Sequence, residues 1–441
     1  MRNSVAGACV RAMTPNPSIE RTSSGQGCRS YPFVVVNHCE MTFTTKPLFC
    51  VASCLFGRPM DIGKLADMVE VFEGLEDWRN AQQTRHRLSE LLTVAVCAVL
   101  SGADDFEEIS QWGRAKLPWL RGFLRLDYGV ASPDTFERVL ALLDPKQFEQ
   151  AFRTWVGALI PALAKDQVIA IDGKASRRTT SKAAAAPLHM VSAFAANVGV
   201  VLGQTATAEK SNEITAIPEL LKVLDIEGCI VTIDAMGTQT KIARTIRERG
   251  AHYVLCVKDN HRNLHDSIIF ANLDPRGPLS PTSTHESTST GHGRIEVRRC
   301  RAYDAVDRLH NAAAWKDVAS FAVVERIRTV GDRTSTERVC YISSLPADAE
   351  RIAQAVRSHW EVENRLHWCL DVQFGDDYAR ARSGHVAHNL ALVRHMALNL
   401  IRLDKSIKTS IKTKRLLAAT SDEFRAALLG FEVPDDDDDD D

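Results

Sequence analysis

From Asp61 to about Lys165 the apolar residues recur at helical spacing, as in Leu88, Leu91, Leu92, Ala95, Val96 and Val99, with Pro118, Pro133 and Pro145 as breaks. This pattern predicts an all-helical segment, one helix of which starts with Ser132 available as cap and Pro133 in its first turn. Beyond Lys165 the period changes. Val168 to Ile171 is a short apolar run ending at Asp172, and Met190 to Ala196 and Val200 to Ala206 flank Asn197-Val198-Gly199, which reads as a hairpin turn. Ile214, Ile217, Leu220, Leu221 and Leu224 then keep one helical face that Gly228 ends, and Cys229 to Ile233 forms a strand ending at Asp234. A helix over 238–249 stopped by Gly250 and a strand over 252–257 complete the order strand, hairpin, helix, strand, helix, strand.

Between Lys258 and about Leu345 that alternation lapses. Gly, Pro, Ser and Thr crowd residues 275–293, after which Ile295 to Ala302, Phe321 to Val330 and Arg338 to Ile342 read as strands of an insertion. Helix resumes near Pro346, runs through His359 and Trp360 to about Asp371, and returns from Val386 to Leu403. The fold class expected is α/β: a mixed sheet with helices, preceded by an all-helical domain and interrupted by a β-rich insertion. The corresponding divisions are a poorly ordered extension over 1–59, a helical domain over 60–165, a sheet domain over 166–404 with the insertion at about 258–345, and a basic segment with an acidic tail over 405–441. An alternative reading of the extension starts the protein at Met60.

With 441 residues, 45% hydrophobic and 25% charged, the composition is that of an ordinary soluble protein with ample core. No run reaches the roughly 18 apolar residues that a membrane-spanning helix needs, so a cytoplasmic protein without a membrane partner is expected. Eleven cysteines lack metal-type spacing and a secretory start is not evident, which favours reduced thiols. The net charge of −2 disguises a terminal run, Asp435 to Asp441: removing those seven from the 56 acids leaves 49 against 54 bases. A nucleic-acid partner must therefore be argued from local patches.

Two segments share one form, Val168-Ile169-Ala170-Ile171-Asp172-Gly173 and Ile230-Val231-Thr232-Ile233-Asp234-Ala235. Each is a strand of the buried, parallel-sheet type that delivers one Asp to the sheet's edge. Side by side, the two carboxylates would repel unless a divalent cation lay between them, and hard oxygen ligands suit magnesium or manganese. Either Asp alone reads better as a turn or cap residue; it is the matched pair that favours the cation. A third acid, Glu363, lies on a helix whose Glu363, His367 and Asp371 follow at steps of four and share a face; ordinary intrahelical pairing is the plainer reading of that face. Lys174, Arg177, Arg178 and Lys182 follow the first Asp closely. Arg394 to Arg415, which includes Arg402, has seven Lys/Arg against the single acid Asp404. Such clusters are natural phosphate contacts, or else solvated surface. Lys258 and Asn260 stand just beyond a core strand.

The phrases IAIDGK (169–174), KSNEITAIPELL (210–221), TIDAMGTQ (232–239), YVLCVKDN (253–260) and HWEVENRLHWCLDVQFGDD (359–377) resemble insertion-sequence transposases of the H-repeat-associated type, relatives of the larger DDE family. The similarity runs from about Met60 to about Ile401. It implies an RNase H-like core whose first strand supplies Asp172, whose fourth strand supplies Asp234 and whose late helix supplies Glu363, the Glu of the phrase Trp360-Glu361-Val362-Glu363. One departure stands out, since related transposases carry a basic residue four positions before that Glu and this chain has His359.

The resemblance further implies catalysis with two magnesium or manganese ions held by Asp172, Asp234 and Glu363. The substrate would be double-stranded DNA, both element ends and target, bound by a homodimer or higher oligomer that sits on the nucleoid when engaged. Lys174, Arg177, Arg178, Lys258, Asn260, Arg394 and Arg402 are the expected DNA contacts. Two other readings remain open on the residues: a transposase-derived protein that grips DNA without cutting it, and a metal-dependent nuclease without strand transfer.

Overall fold

A computed structural model describes residues 63–80, 82, 84–160, 162–176, 187–207, 213–271, 279–291, 293–379 and 382–431. The expected extension over 1–59, the acidic run and Arg177, Arg178 and Lys182 lie outside the described residues. The leading helices are α1 (Gly63–Glu73), α2 (Leu88–Leu100), α3 (Phe106–Ala115), α4 (Leu117–Leu120), α5 (Pro133–Leu142) and α6 (Pro145–Leu159). Every residue of α2 is buried, so the stripe seen in its sequence is part of a helix enclosed on all sides. Asp105 caps α3 by accepting from the Glu108 amide, while Glu108 accepts from the Asp104 amide. Pro133 opens α5 as expected, but Ser132 does not cap it: its hydroxyl pairs with that of Thr135 at 3.0 Å instead.

The sheet begins with β1 (Val168–Ser176), β2 (Leu188–Ala195) and β3 (Val200–Ala206), an antiparallel meander. Helix α7 (Glu213–Val223), β4 (Ile230–Ile233), α8 (Thr240–Glu248) and β5 (His252–Val257) follow, with β4 parallel to both β1 and β5. After α9 (Arg262–Ala271) come β6 (Ser283–Gly291), β7 (Arg294–Tyr303), β8 (Ser320–Val330) and β9 (Arg333–Ser343). The strand order is β3-β2-β1-β4-β5-β9-β8-β7-β6. The inserted strands therefore extend the first sheet: β9 runs antiparallel to β5, with Val254 opposite Ser343 and Val257 opposite Cys340.

Strand β6 falls within the stretch read as crowded with turn residues, and the structure corrects that reading. Ser283-Thr284-His285-Glu286-Ser287-Thr288-Ser289-Thr290 alternates partly covered and exposed positions and pairs with β7 along its whole length. An edge strand needs no apolar face of its own, and the β-branched threonines fit a pleated surface. Strand β1 also differs from expectation, running four residues past Asp172 against β2, whereas its pairing with β4 stops at Ile171 opposite Ile233. Asp172 thus sits where β1 loses its parallel neighbour, with its side chain 16% exposed.

The closing helices are α10 (Ala349–His359), a π-helical turn over Val362–His367, α11 (Trp368–Gln373), α12 (Val386–Leu403), α13 (Ile411–Thr420) and α14 (Asp422–Leu428). α10 lies against β1, β4 and β5 and reaches β6 to β8, while α12 packs on α2, α5, α6 and β3. The helical segment and the sheet consequently share one apolar cluster, running from Leu65 and Leu92 through Ile171 and Val231 to Leu392. Among the described residues no helix is long and apolar enough to cross a membrane.

Candidate active site

The two Asp-bearing strands bring their carboxylates to one cleft of about 170 Å³, lined by Asp172, Asp234, Lys258, His359, Trp360 and Glu363 among others. Asp172 accepts from the Gly173 amide at 3.0 Å. Asp234 follows β4 directly and accepts from the Gly237 amide at 3.0 Å, closing a turn that Thr238 locks by donating to the Cys256 carbonyl at 2.6 Å. The Asn260 side-chain amide ties the same turn to the short 3-10 turn after β5 by donating to the Ala235 carbonyl at 2.5 Å. Lys258 is exposed on the cleft wall, close enough for its charge to favour ionised Asp234.

Glu363 comes from the π-helical turn. Such turns are rare and recur at functional sites, where the extra residue per turn re-aims side chains. His367, one step along the same face, places Nδ1 3.6 Å from an Asp172 oxygen and 3.7 Å from a Glu363 oxygen. One ligand atom each from Asp172, Glu363 and His367 lie within 4.8 Å of one another, close enough to hold a metal ion. Asp234 lines the cleft without belonging to that tightest group.

Electrostatics set the carboxylates apart. Burial pushes Asp172 up to about 7, with His367 opposing and the charges of Glu363 and Asp234 adding to the rise. Burial also raises Asp234. Glu363 moves the other way, lowered chiefly by the imidazole of His367 beside it. A carboxylate held this high, beside two others, is the arrangement that a cation relieves. His359 is pushed down to about 4 by burial and contacts the Thr232 hydroxyl at 3.1 Å, so it is a neutral ring and not a substitute cation.

Residues 163–400 match the family described as Transposase DDE domain, and residues 69–156 match the one described as DDE_Tnp_1-associated. The chain belongs to the DDE transposase family. Among its relatives, "Putative transposase YncI" of Escherichia coli O157:H7 is 38% identical over 366 residues, covering 81% of this chain and 92% of the relative. "H repeat-associated putative transposase YhhI" of Escherichia coli (strain K12) is 35% identical over 381 residues, 84% of this chain and 98% of the relative. A solved piggyBac transposase synaptic complex with hairpin DNA aligns over 83% of this chain and 78% of that chain with a TM-score of 0.41 and 11% identity, a likeness too distant to build on.

Several basic residues expected to meet DNA are placed elsewhere in this transposase. Lys174 is 12% exposed and lies 2.7 Å from Asp371 and 2.5 Å from Asp376. It ties β1 to the helix that carries Glu363, which also removes Asp371 from the metal-facing stripe. Arg394 is 2% exposed, 2.8 Å from the other Asp376 oxygen, and donates to the Asp104 carbonyl. Arg402 donates to the Gly199 carbonyl at 2.7 Å and covers the Phe194 ring. Burial and these partners leave none of the three free for a phosphate. Lys258 alone of the expected basic contacts both falls among the described residues and faces the cleft. His367 is not among the metal-holding residues expected from the sequence, although its step of four from Glu363 is the signal that points to it.

Proposed function

We propose that this transposase cuts DNA at the ends of its element and joins the freed 3′ ends to target DNA, by in-line displacement at phosphorus. The observation that supports this most is the meeting of Asp172, Asp234 and Glu363 in one cleft, with Asp172 held near 7 by burial. The donor set fits divalent magnesium or manganese: carboxylate oxygens suit both, and the imidazole of His367 adds a donor that manganese accepts readily. Asp172, Asp234 and Glu363 would hold two such ions, with His367 on the Asp172–Glu363 side. When bound, the ions would activate the attacking oxygen and stabilise the departing one.

The chain's own groups supply the remaining functions. The Asn260 and Thr238 hydrogen bonds keep the Asp234 turn in place, and Lys174 keeps β1 in register with the Glu363 helix, so the carboxylates stay preorganised. Lys258 faces the phosphodiester as a point charge. Double-stranded DNA is the partner in this reading, and pairing two element ends calls for a homodimer or larger assembly.

The test is cleavage of a duplex carrying the element's end in magnesium, with and without chelator, followed by joining of pre-cut ends to a plasmid. Cutting and joining that both stop with chelator are expected. Cutting without any joined product would identify a hydrolase, and neither activity would remove the reading.

A further inference from the structure

The imidazole of His367 turns Nδ1 toward Asp172 and Glu363, which leaves its other nitrogen, Nε2, on the side away from them. Nε2 has no hydrogen-bond partner among the described residues, although the side chain is only 9% exposed. His395 on α12 is 3% exposed, and neither of its ring nitrogens finds a partner there either. Both histidines line one small cavity of about 10 Å³, together with Lys174, Met190 and Ser192 of the sheet. Asp172 and Lys174 share one side of β1, Ser192 stands opposite Asp172 on β2, and Met190 stands opposite Lys174. The cavity is therefore on the same face of the sheet as the Asp172 carboxylate and adjoins the cation site through the His367 ring itself.

Size and chemistry identify the occupant. About 10 Å³ is the room that one water needs, and a buried water is retained where about two to four polar atoms surround it. An apolar occupant would leave the buried nitrogens unmatched, and the Lys174 ammonium in the wall disfavours a cation. A ring nitrogen binds a metal through its lone pair, so with Nδ1 facing the cation the proton of a neutral His367 sits on Nε2 and needs an acceptor. Burial pushes His395 down to about 3 and keeps its ring neutral, with one nitrogen to accept and one to donate. A water between the rings accepts from His367 and donates to His395.

We propose that this cavity is a site for one ordered water that bridges Nε2 of His367 to the ring of His395 and so holds Nδ1 of His367 toward the cation. His395 is a positioning residue in this arrangement, acting through the water on His367. The inference rests on the cation-binding reading above.

The experiment reads manganese bound to the full-length protein by pulsed electron paramagnetic resonance, in which a coordinating imidazole leaves a nitrogen modulation, and measures affinity by titration. The wild type is expected to show the modulation and His367→Ala to lose it. His395→Leu, which removes both ring nitrogens, should bind manganese about tenfold more weakly with a weakened modulation, whereas His395→Gln, which restores a donor and an acceptor, should recover both. If thermal melting shows that the His395 variants do not fold, a high-resolution crystal structure of the wild type decides. One water within hydrogen-bonding distance of both rings is expected, and a dry cavity or a direct bond between the rings overturns the inference. Wild-type affinity and modulation in His395→Leu, equal losses in the Leu and Gln variants, or wild-type manganese binding without modulation also overturn it while leaving the carboxylate site intact. A wild-type protein that binds no manganese overturns both.

Discussion

Asp172→Asn is expected to make the metal-free protein more stable, because the native carboxylate is buried before a cation arrives. Lifting an aspartate from its ordinary value near 3.8 to about 7 corresponds to ~4 kcal/mol of ionisation free energy. The sign follows from proton binding. Below about pH 3.8 both folded and unfolded chains carry the proton and nothing is lost; as pH rises from there to about 7 the unfolded chain ionises first, and stability falls until the full cost is reached. Asn removes the charge and keeps an oxygen to accept from the Gly173 amide, so it should recover ~1–3 kcal/mol at pH 8 and less at pH 5. The assay is thermal and urea denaturation in chelator across that range. The variant should exceed the wild type by a few degrees at pH 8, and the gap should narrow toward pH 5. Added manganese should reverse the order by stabilising only the wild type. A variant that melts below the wild type in chelator at pH 8 would refute the reasoning, since it would mean that the ionised carboxylate is already well satisfied.

Three further outcomes follow from the same contacts. Arg394→Met removes the buried partner of Asp376 and should cost about 3–5 kcal/mol in urea denaturation, because the carboxylate stays buried with Lys174 as its remaining close cation. Gly173→Ala drives a methyl group into the Glu213–His189 pair and should cost about 1–3 kcal/mol, most of which Gly173→Ala with Glu213→Ala restores; an undiminished melting temperature in the single variant would show that the pair moves aside freely. His367→Ala should weaken manganese binding at least as much as the ~10–100-fold typical of losing even an outer ligand partner, measured by calorimetric titration.

The strand order through β5 was legible because a change of period from helix to strand is written in single residues, and the matched runs before Asp172 and Asp234 mark neighbouring strands. Glu363 was legible only through the resemblance, since its helix places three polar residues on one face and spacing alone does not say which turn inward. Burial was the main thing hidden. Lys174, Arg394 and Arg402 look in sequence like a phosphate-binding set, yet Arg394 is 2% exposed and all three are committed to partners far away in the chain, Lys174 to Asp376, Arg394 to Asp104 and Arg402 to Gly199. Strand β6 was hidden for the opposite reason, because an exposed edge strand carries no apolar signature. Gly173 reads in sequence as a small residue after an Asp, and only the position of α7 shows what its missing side chain makes room for.

The central claim is that three acids distant in sequence form one divalent-cation site. Manganese binding measured by electron paramagnetic resonance on the wild type and on Asp172→Ala, Asp234→Ala and Glu363→Ala addresses it without any need for a DNA substrate. The account predicts saturable binding by the wild type, weakened at least about tenfold in each variant while the variants still melt cooperatively. Wild-type-like manganese binding in all three folded variants would contradict it.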